Sequence, residues 1–182
     1  MLYFWKSPYR MVRLHDEANP ENPLGPYGET DFYLFDMLLR KFDIEEEKTI
    51  AELGSGRGRL CFWLSMVRKQ AKVYGVEQHP TMVERADRVR KKFGIENVHF
   101  IEAAWQHLSF SDVDVAYLYV PVESDEELFE LGEKMRSLQS GTQIITIGWW
   151  FGEVMPDRFE LENRMRVRFD WGTTEAYLQR IV

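Results

Sequence analysis

The sequence predicts an α/β fold: a mostly parallel, doubly wound sheet of seven strands, covered by helices on both faces and finished by an antiparallel C-terminal hairpin. Three observations carry this expectation. Between residues 30 and 149, short apolar and β-branched runs alternate with longer segments of helical periodicity. A glycine-rich turn, Gly54-Ser55-Gly56-Arg57-Gly58, falls between the first such run and the helical segment after it. The last third then changes to two long strand-like runs joined at Gly172-Thr173, a hairpin signal.

The elements follow in order. Asn19-Pro20, Asn22-Pro23 and Gly25-Pro26 mark residues 15–28 as loop and turn. Phe32, Leu34, Phe35, Leu38, Leu39 and Phe42 recur at three- and four-residue spacing, which predicts an amphipathic helix capped by Thr30 or Asp31. Thr49–Leu53 reads as the first strand, and a helix follows the glycine turn through about Arg68. Lys72–Glu77 is the second strand. Pro80 sits in the first turn of the next helix, where its missing N–H costs little; that helix runs through Lys92 and closes at Gly94. Val98–Glu102 and Val113–Val120 are strands three and four, Glu126–Leu138 a helix ended by Ser140-Gly141, and Gln143–Trp149 the fifth strand. Phe159–Trp171 and Thr174–Val182 form the hairpin. One domain is expected over residues 30–182, preceded by an N-terminal arm or lid segment over 1–29.

Composition bounds the function. The chain has 182 residues, 45% apolar and 29% charged, as a single globular domain does. Its formal net charge of −7 is opposite to the basic surface that a duplex-binding protein carries, so nucleic acid is not the expected partner. A basic protein or a small molecule fits the charge. Cys61 is the one cysteine, which excludes an internal disulfide and a cysteine-rich metal site and suits a reducing, cytoplasmic setting. Its neighbours Leu60, Phe62 and Trp63 mark it as a packing residue. His79, His99 and His107 have no metal-ligand spacing, so no metal is expected. The apolar run Met1–Trp5 is too short for a signal peptide, and no segment approaches the length of a membrane span. The charged positions Arg85, Arg88, Arg90, Lys91 and Lys92 read as the solvated face of a helix.

The chemistry concentrates at Glu52-Leu53-Gly54-Ser55-Gly56-Arg57-Gly58-Arg59. Glycines at a strand-to-helix turn let backbone N–H groups approach a ligand, and the helix N-terminus favours an anion. A dinucleotide fingerprint needs Gly-x-Gly-x-x-Gly, and here the third glycine arrives one residue early. A P-loop ends in Gly-Lys-Ser/Thr, which Arg59-Leu60 does not supply. Glu77 ends the second strand 23 residues after Gly54, either as a strand-end residue facing water or as a carboxylate placed to accept hydrogen bonds from both hydroxyls of a ribose. Pro26-Tyr27-Gly28-Glu29-Thr30 precedes the first helix. By local reasoning Glu29 is either a surface loop residue or a carboxylate placed to hold an ammonium group.

The order Tyr27-Gly28-Glu29-Thr30, then Glu52 through Arg59, then Tyr74-Gly75-Val76-Glu77 resembles the seven-strand, class I S-adenosylmethionine-dependent methyltransferases, whose sheet is Rossmann-like. Within the class it looks most like non-SET protein-lysine methyltransferases, both the histone-lysine enzymes of the "disruptor of telomeric silencing" type and those modifying lysine in the membrane ring of ATP synthase. The likeness runs from about Pro26 to Gly148. It implies that Glu29 and Thr30 close over the methionine part of S-adenosylmethionine. Glu52, Gly54, Ser55, Gly56 and Gly58 form the cofactor loop, Glu77 binds the ribose, and Gln78 lies by the adenine. The acid that follows strand three in such enzymes is replaced here by Ala104, with Trp105 beside it as a ring for the adenine or as core. The end of strand four reads Leu118-Tyr119-Val120-Pro121, closer to the ATP-synthase type than to the histone type. It lacks the Asn/Asp-Pro-Pro-Tyr/Phe motif of many DNA and glutamine amino-methyltransferases.

The resemblance implies in-line transfer of a methyl group to a protein lysine amine, with Tyr119 as the catalytic wall or, equally, a core tyrosine. Trp149 and Trp150 either line the acceptor channel or pack against the hairpin. A small-molecule methyltransferase of the same fold and a non-catalytic cofactor-binding module are the alternatives. The identity of the acceptor and the oligomeric state are not legible in the sequence.

Overall fold

The computed structural model describes residues 13, 17, 28–103, 112–135, 138–169 and 172–182. The chain divides into two compact units, Met1–Asp31 and Phe32–Val182. In the first, Arg13 and Glu17 form an ion pair at 3.7 Å. Thr30 is buried, Glu29 half-buried and Gly28 exposed.

The second unit is a seven-stranded sheet with the order β3-β2-β1-β4-β5-β7-β6. Helix α1 (Phe32–Lys41) buries Leu34, Phe35, Leu38 and Leu39, the stripe that the spacing predicts, and ends on Arg40 and Lys41 where cations favour the helix dipole. Strand β1 (Ile50–Leu53) leads through the glycine turn into α2 (Arg59–Val67). Strand β2 (Val73–Glu77) leads into α3 (Pro80–Phe93), which stops at Gly94 in the left-handed region. After β3 (Val98–Glu102) and β4 (Val115–Leu118) come α4 (Asp125–Lys134), β5 (Gln143–Ile147) and a single 3₁₀ turn at Phe151–Glu153. Strands β6 (Phe159–Phe169) and β7 (Gly172–Ile181) close the chain. Strands β1 to β5 pair in parallel, and β7 is antiparallel to both β5 and β6. Among the described residues no helix is long and apolar enough to cross a membrane.

This is the predicted architecture, with shorter central strands. β4 was expected over Val113–Val120 and covers Val115–Leu118. At its start the Asp114 carboxylate accepts the Thr49 N–H at 2.8 Å, and at its end the Val120 carbonyl accepts the Trp149 indole N–H at 3.0 Å. β5 stops at Ile147 because Gly148 turns to φ 91°. α4 begins at Asp125, since the Ser124 hydroxyl accepts the Glu127 N–H while the Glu127 carboxylate accepts the Glu123 N–H.

The core beneath α4 and the 3₁₀ turn gathers Leu53, Val76, Leu118, Leu128, Ile144, Trp149, Phe151 and Phe159. Trp149 is therefore a core residue, 7% exposed, and its ring packs edge-on against Phe151. A polar network is buried beside it. Gln179, fully buried, accepts the Phe151 N–H at 2.9 Å and donates to the Thr146 hydroxyl at 3.1 Å; that hydroxyl donates to the Trp149 carbonyl. The loop after β5 is thus held by a buried side chain of the last strand. Gln179→Leu strands the Phe151 N–H, which costs about 1–3 kcal/mol and lowers Tm by roughly 3–10 °C. A thermal melt within one degree of wild type contradicts that role.

Candidate functional site

The strand order reverses between β1 and β4, and in such sheets ligands bind outside the carboxyl ends of the strands at that point. The register brings the relevant ends together. Leu53 of β1 lies opposite Val76 of β2 and Leu118 of β4, and Glu77 opposite Glu102. Gly54, Glu77 and Tyr119 therefore leave the sheet along one edge.

The glycine turn is built from three left-handed glycines, at φ 86° for Gly54, 53° for Gly56 and 71° for Gly58. An L side chain at any of them costs about 1–2 kcal/mol in backbone strain alone. The Gly54 and Ser55 N–H groups both donate to the Val76 carbonyl, at 2.9 and 2.8 Å, which pins the turn to the end of β2. A Cβ on Gly54 would meet nothing within 4 Å, so that glycine faces open space. Gly58 does the opposite: a Cβ there would lie 2.3 Å from the Phe100 ring. One on Gly75 would lie 2.7 Å from that ring and 2.9 Å from the Ser55 hydroxyl. Phe100 of β3 fills the slot that the two glycines leave and packs on Phe62 of α2, with ring centroids 5.1 Å apart. Gly54 opens the turn outward, and Gly58 and Gly75 seat it on the sheet.

Glu77 ties the two βα turns together. One carboxylate oxygen accepts the Gly56 N–H at 2.8 Å, and the other accepts the His79 N–H at 2.9 Å. A carboxylate offers about four lone-pair positions, so roughly two remain for hydroxyl donors. The Ser55 hydroxyl is buried, 6% exposed, and has no hydrogen-bond partner among the described residues. A buried hydroxyl in that state is completed by a ligand or a water. A turn open at Gly54, a half-buried carboxylate with spare acceptor capacity and an orphan hydroxyl fit a nucleoside-bearing ligand with a vicinal diol.

Glu52 faces inward along β1. Its carboxylate accepts the Cys61 thiol hydrogen at 3.0 Å. Burial pushes the Cys61 thiol pKa well up, and the neighbouring Glu52 charge pushes it further. The thiol stays protonated and is no nucleophile. Because the folded state holds that proton more tightly than the unfolded chain, its contribution to stability is complete below the ordinary thiol range and is lost as pH rises above it. We expect Cys61 to resist a thiol reagent in the folded protein and to react on unfolding; rapid labelling of the native protein contradicts this packing.

The remaining expected site residues divide by position. Gln78 is exposed in the turn after β2. Glu29 and Thr30 belong to the first unit. Ala104 and Trp105, like Tyr27, lie outside the described residues. Tyr119 is half-buried, and its ring stacks on Phe169 of β6 at 5.3 Å. Trp150 lies over Gly152, where a Cβ would meet its ring at 1.9 Å. Sequence reasoning missed Phe100, Gly75 and Phe169. Gly75 falls within the motif Tyr74-Gly75-Val76-Glu77, so a glycine inside a strand was the available signal for close approach. Among the described residues no three His, Cys, Asp or Glu side chains are grouped to hold a metal.

A family model described as "Methyltransferase domain" matches residues 44–139, more than half of the chain, and spans β1 through α4. The chain belongs to this methyltransferase family. S-adenosylmethionine is the cofactor of such a domain, and the turn, Glu77 and Ser55 are suited to it. A protein-L-isoaspartate O-methyltransferase of Methanococcus aeolicus is 29% identical over 94 residues, 50% of this chain and 44% of that protein. The chain thus spans under half the length of this curated relative. Among solved structures, an RNA methyltransferase from Salinibacter ruber in complex with S-adenosyl-L-homocysteine superposes with a TM-score of 0.66 at 22% identity, covering 85% of this chain and 94% of that one. An S-adenosylmethionine-dependent methyltransferase from Aquifex aeolicus has a TM-score of 0.63 at 20% identity, covering 97% of this chain and all of its own. At these identities the methyltransferase domain shares a fold with them.

Proposed function

We propose that this protein transfers the methyl group of S-adenosylmethionine to an acceptor that enters at the C-terminal edge of the sheet, beside Tyr119. The observation that carries the reading is the Glu77 carboxylate, anchored at both oxygens by backbone N–H groups of the two turns that would flank a nucleoside. When bound, the cofactor supplies a methyl group already activated by its sulfonium charge. The chain's own task is therefore placement, which is worth several kcal/mol when the reacting atoms are held in line (up to ~7–11 kcal/mol). Glu77 accepts from the ribose hydroxyls, and Gly54 leaves room for the cofactor to pass the turn. Ser55 completes its hydrogen bonding on the ligand, and Glu52 supports the loop from below through Cys61. Gln78 borders the adenine side. Tyr119, steadied by Phe169, forms the acceptor wall.

A protein lysine is the acceptor that the Tyr27-Gly28-Glu29-Thr30 resemblance implies, and the aromatic pair Tyr119–Phe169 suits it, since ring faces attract an ammonium group. The relatives do not share that acceptor: one is named for isoaspartate and another for RNA. The expectation against nucleic acid, drawn from net charge and the missing amino-methyltransferase motif, likewise finds no support in them. The same ring pair also suits a stacked base.

The test is methyl transfer from labelled S-adenosylmethionine to separated RNA and protein fractions, beside Glu77→Ala. Label in one fraction, matched by S-adenosylhomocysteine and lost in the variant, is the expected result. A folded protein that neither binds the cofactor nor yields S-adenosylhomocysteine overturns the reading.

A further inference from the structure

The edge strand β6 carries its charges in two blocks. Glu160 and Glu162 lie in its first half, and Arg164, Arg166 and Arg168 in its second. The register with β7 is unbroken from Asn163↔Leu178 to Phe169↔Gly172. Alternation therefore sets the three arginines on one face and Met165, Val167 and Phe169 on the other. Burial agrees: the arginines are exposed, Val167 is buried, and Met165 and Phe169 are half-buried.

Much of the acidic charge nearby is already engaged. Glu162 binds Arg180 and accepts from Gln143. Glu175 accepts the Tyr177 hydroxyl at 3.0 Å and lies 3.7 Å from Arg164. Among the described residues, Arg166 and Arg168 have no carboxylate within ion-pair distance. Their place in the sheet matters as much as their charge. Ile147, the last residue of β5, lies opposite Ala176 of β7, which lies opposite Met165 of β6. Arg166 and Arg168 thus extend past the end of β5, level with the loop that starts at Gly148, whose N–H donates to the Glu175 carbonyl at 2.8 Å. That is the edge where Tyr119 leaves the sheet and stacks on Phe169.

Charges of either sign protect an edge strand from pairing with another. That need does not sort acids to one end and arginines to the other. Residues two apart on a strand are about 6.7 Å apart, comparable with successive phosphates along an extended single strand. A guanidinium also matches a phosphate with paired hydrogen bonds. The acidic remainder of the chain is screened beyond about 8–10 Å at ordinary ionic strength, so the local arginines decide what docks.

We propose that Arg164, Arg166 and Arg168 form a docking surface for the phosphate backbone of a single-stranded RNA, which crosses the open edge of β6 to present a base to the Tyr119–Phe169 wall on the other face. This rests on the reading of that edge as a methyl-transfer site. RNA is preferred to DNA because Tyr119-Val120-Pro121 stands where the amino-methyltransferase motif of DNA enzymes would lie. A lysine-rich peptide is disfavoured by repulsion from the same arginines.

The test is fluorescence anisotropy with a short labelled single-stranded oligoribonucleotide between about 50 and 200 mM salt. The proteins are wild type, Arg166→Gln/Arg168→Gln, and a control, Arg88→Gln/Lys92→Gln on α3. We expect the hairpin variant to bind at least tenfold more weakly at low salt. Its salt slope should fall by about 1.4, or 0.7 per lost phosphate contact. The control should stay within twofold of wild type, and calorimetric binding of S-adenosylmethionine should be the same in all three. Any of four results overturns the docking surface: no RNA binding at low salt, equal loss in both variants, tighter binding to DNA of the same sequence, or tighter binding to a lysine-rich peptide. Failure of wild type to bind S-adenosylmethionine would instead remove the methyl-transfer reading, and the anisotropy result would be judged separately.

Discussion

Glu77→Ala is expected to weaken S-adenosylmethionine binding by about a hundredfold while leaving the protein folded. Hydrogen bonds to a charged group are worth about 1.5–3 kcal/mol each, and two to the ribose hydroxyls make about 3–6 kcal/mol, at least two decades in Kd. The same substitution frees the Gly56 and His79 N–H groups, which the carboxylate holds at 2.8 and 2.9 Å. Gly56 is buried and His79 half-buried, so the freed Gly56 N–H costs about 1–3 kcal/mol and lowers Tm by roughly 3–10 °C. Glu77→Gln keeps a carbonyl oxygen and should recover part of the affinity. Calorimetry on the three proteins decides it. A Kd for Glu77→Ala within threefold of wild type means that the carboxylate serves the turns and not a ligand.

The largest expected effect on stability lies at Gly58. A Cβ there meets the Phe100 ring at 2.3 Å, and the backbone sits at φ 71°. Gly58→Val combines left-handed strain with overpacking, together about 3–5 kcal/mol, which lowers Tm by roughly 8–15 °C in a domain of this size. Gly54→Ala, with open space at its Cβ, bears the backbone cost alone. The clash component is separable. In Gly58→Ala/Phe100→Leu the smaller side chain makes room, so the double variant should be more stable than the sum of the singles by about 1 kcal/mol or more. Strict additivity in thermal or denaturant unfolding would show that Phe100 is not what Gly58 accommodates.

These two sites show how far the sequence could be read. The turn, the acid after β2 and the alternation of strands and helices are local patterns, and the sheet forms from them as expected. Patterns could not say which glycine faces a ligand and which faces the sheet. Gly54 and Gly58 look alike in sequence, and Phe100, more than forty residues away, makes the difference. Tyr119 read as wall or core, and no local pattern could show that the hairpin brings Phe169 onto its ring. Trp149 looked equally able to line a channel, but its indole N–H is committed to Val120 and its ring to Phe151. Gln179 gave no signal at all, because a polar residue in a terminal strand is ordinarily surface, and only the burial of Thr146 and Phe151 explains it. The arginine alternation in β6 was visible as spacing. Its meaning required the register that carries it beyond the end of β5.

The most direct measurement is calorimetric titration of the wild-type protein with S-adenosylmethionine. One-site binding in the micromolar range is predicted, with displacement by S-adenosylhomocysteine. A folded protein that shows no heat and no shift in thermal stability at millimolar cofactor would contradict the account at its centre.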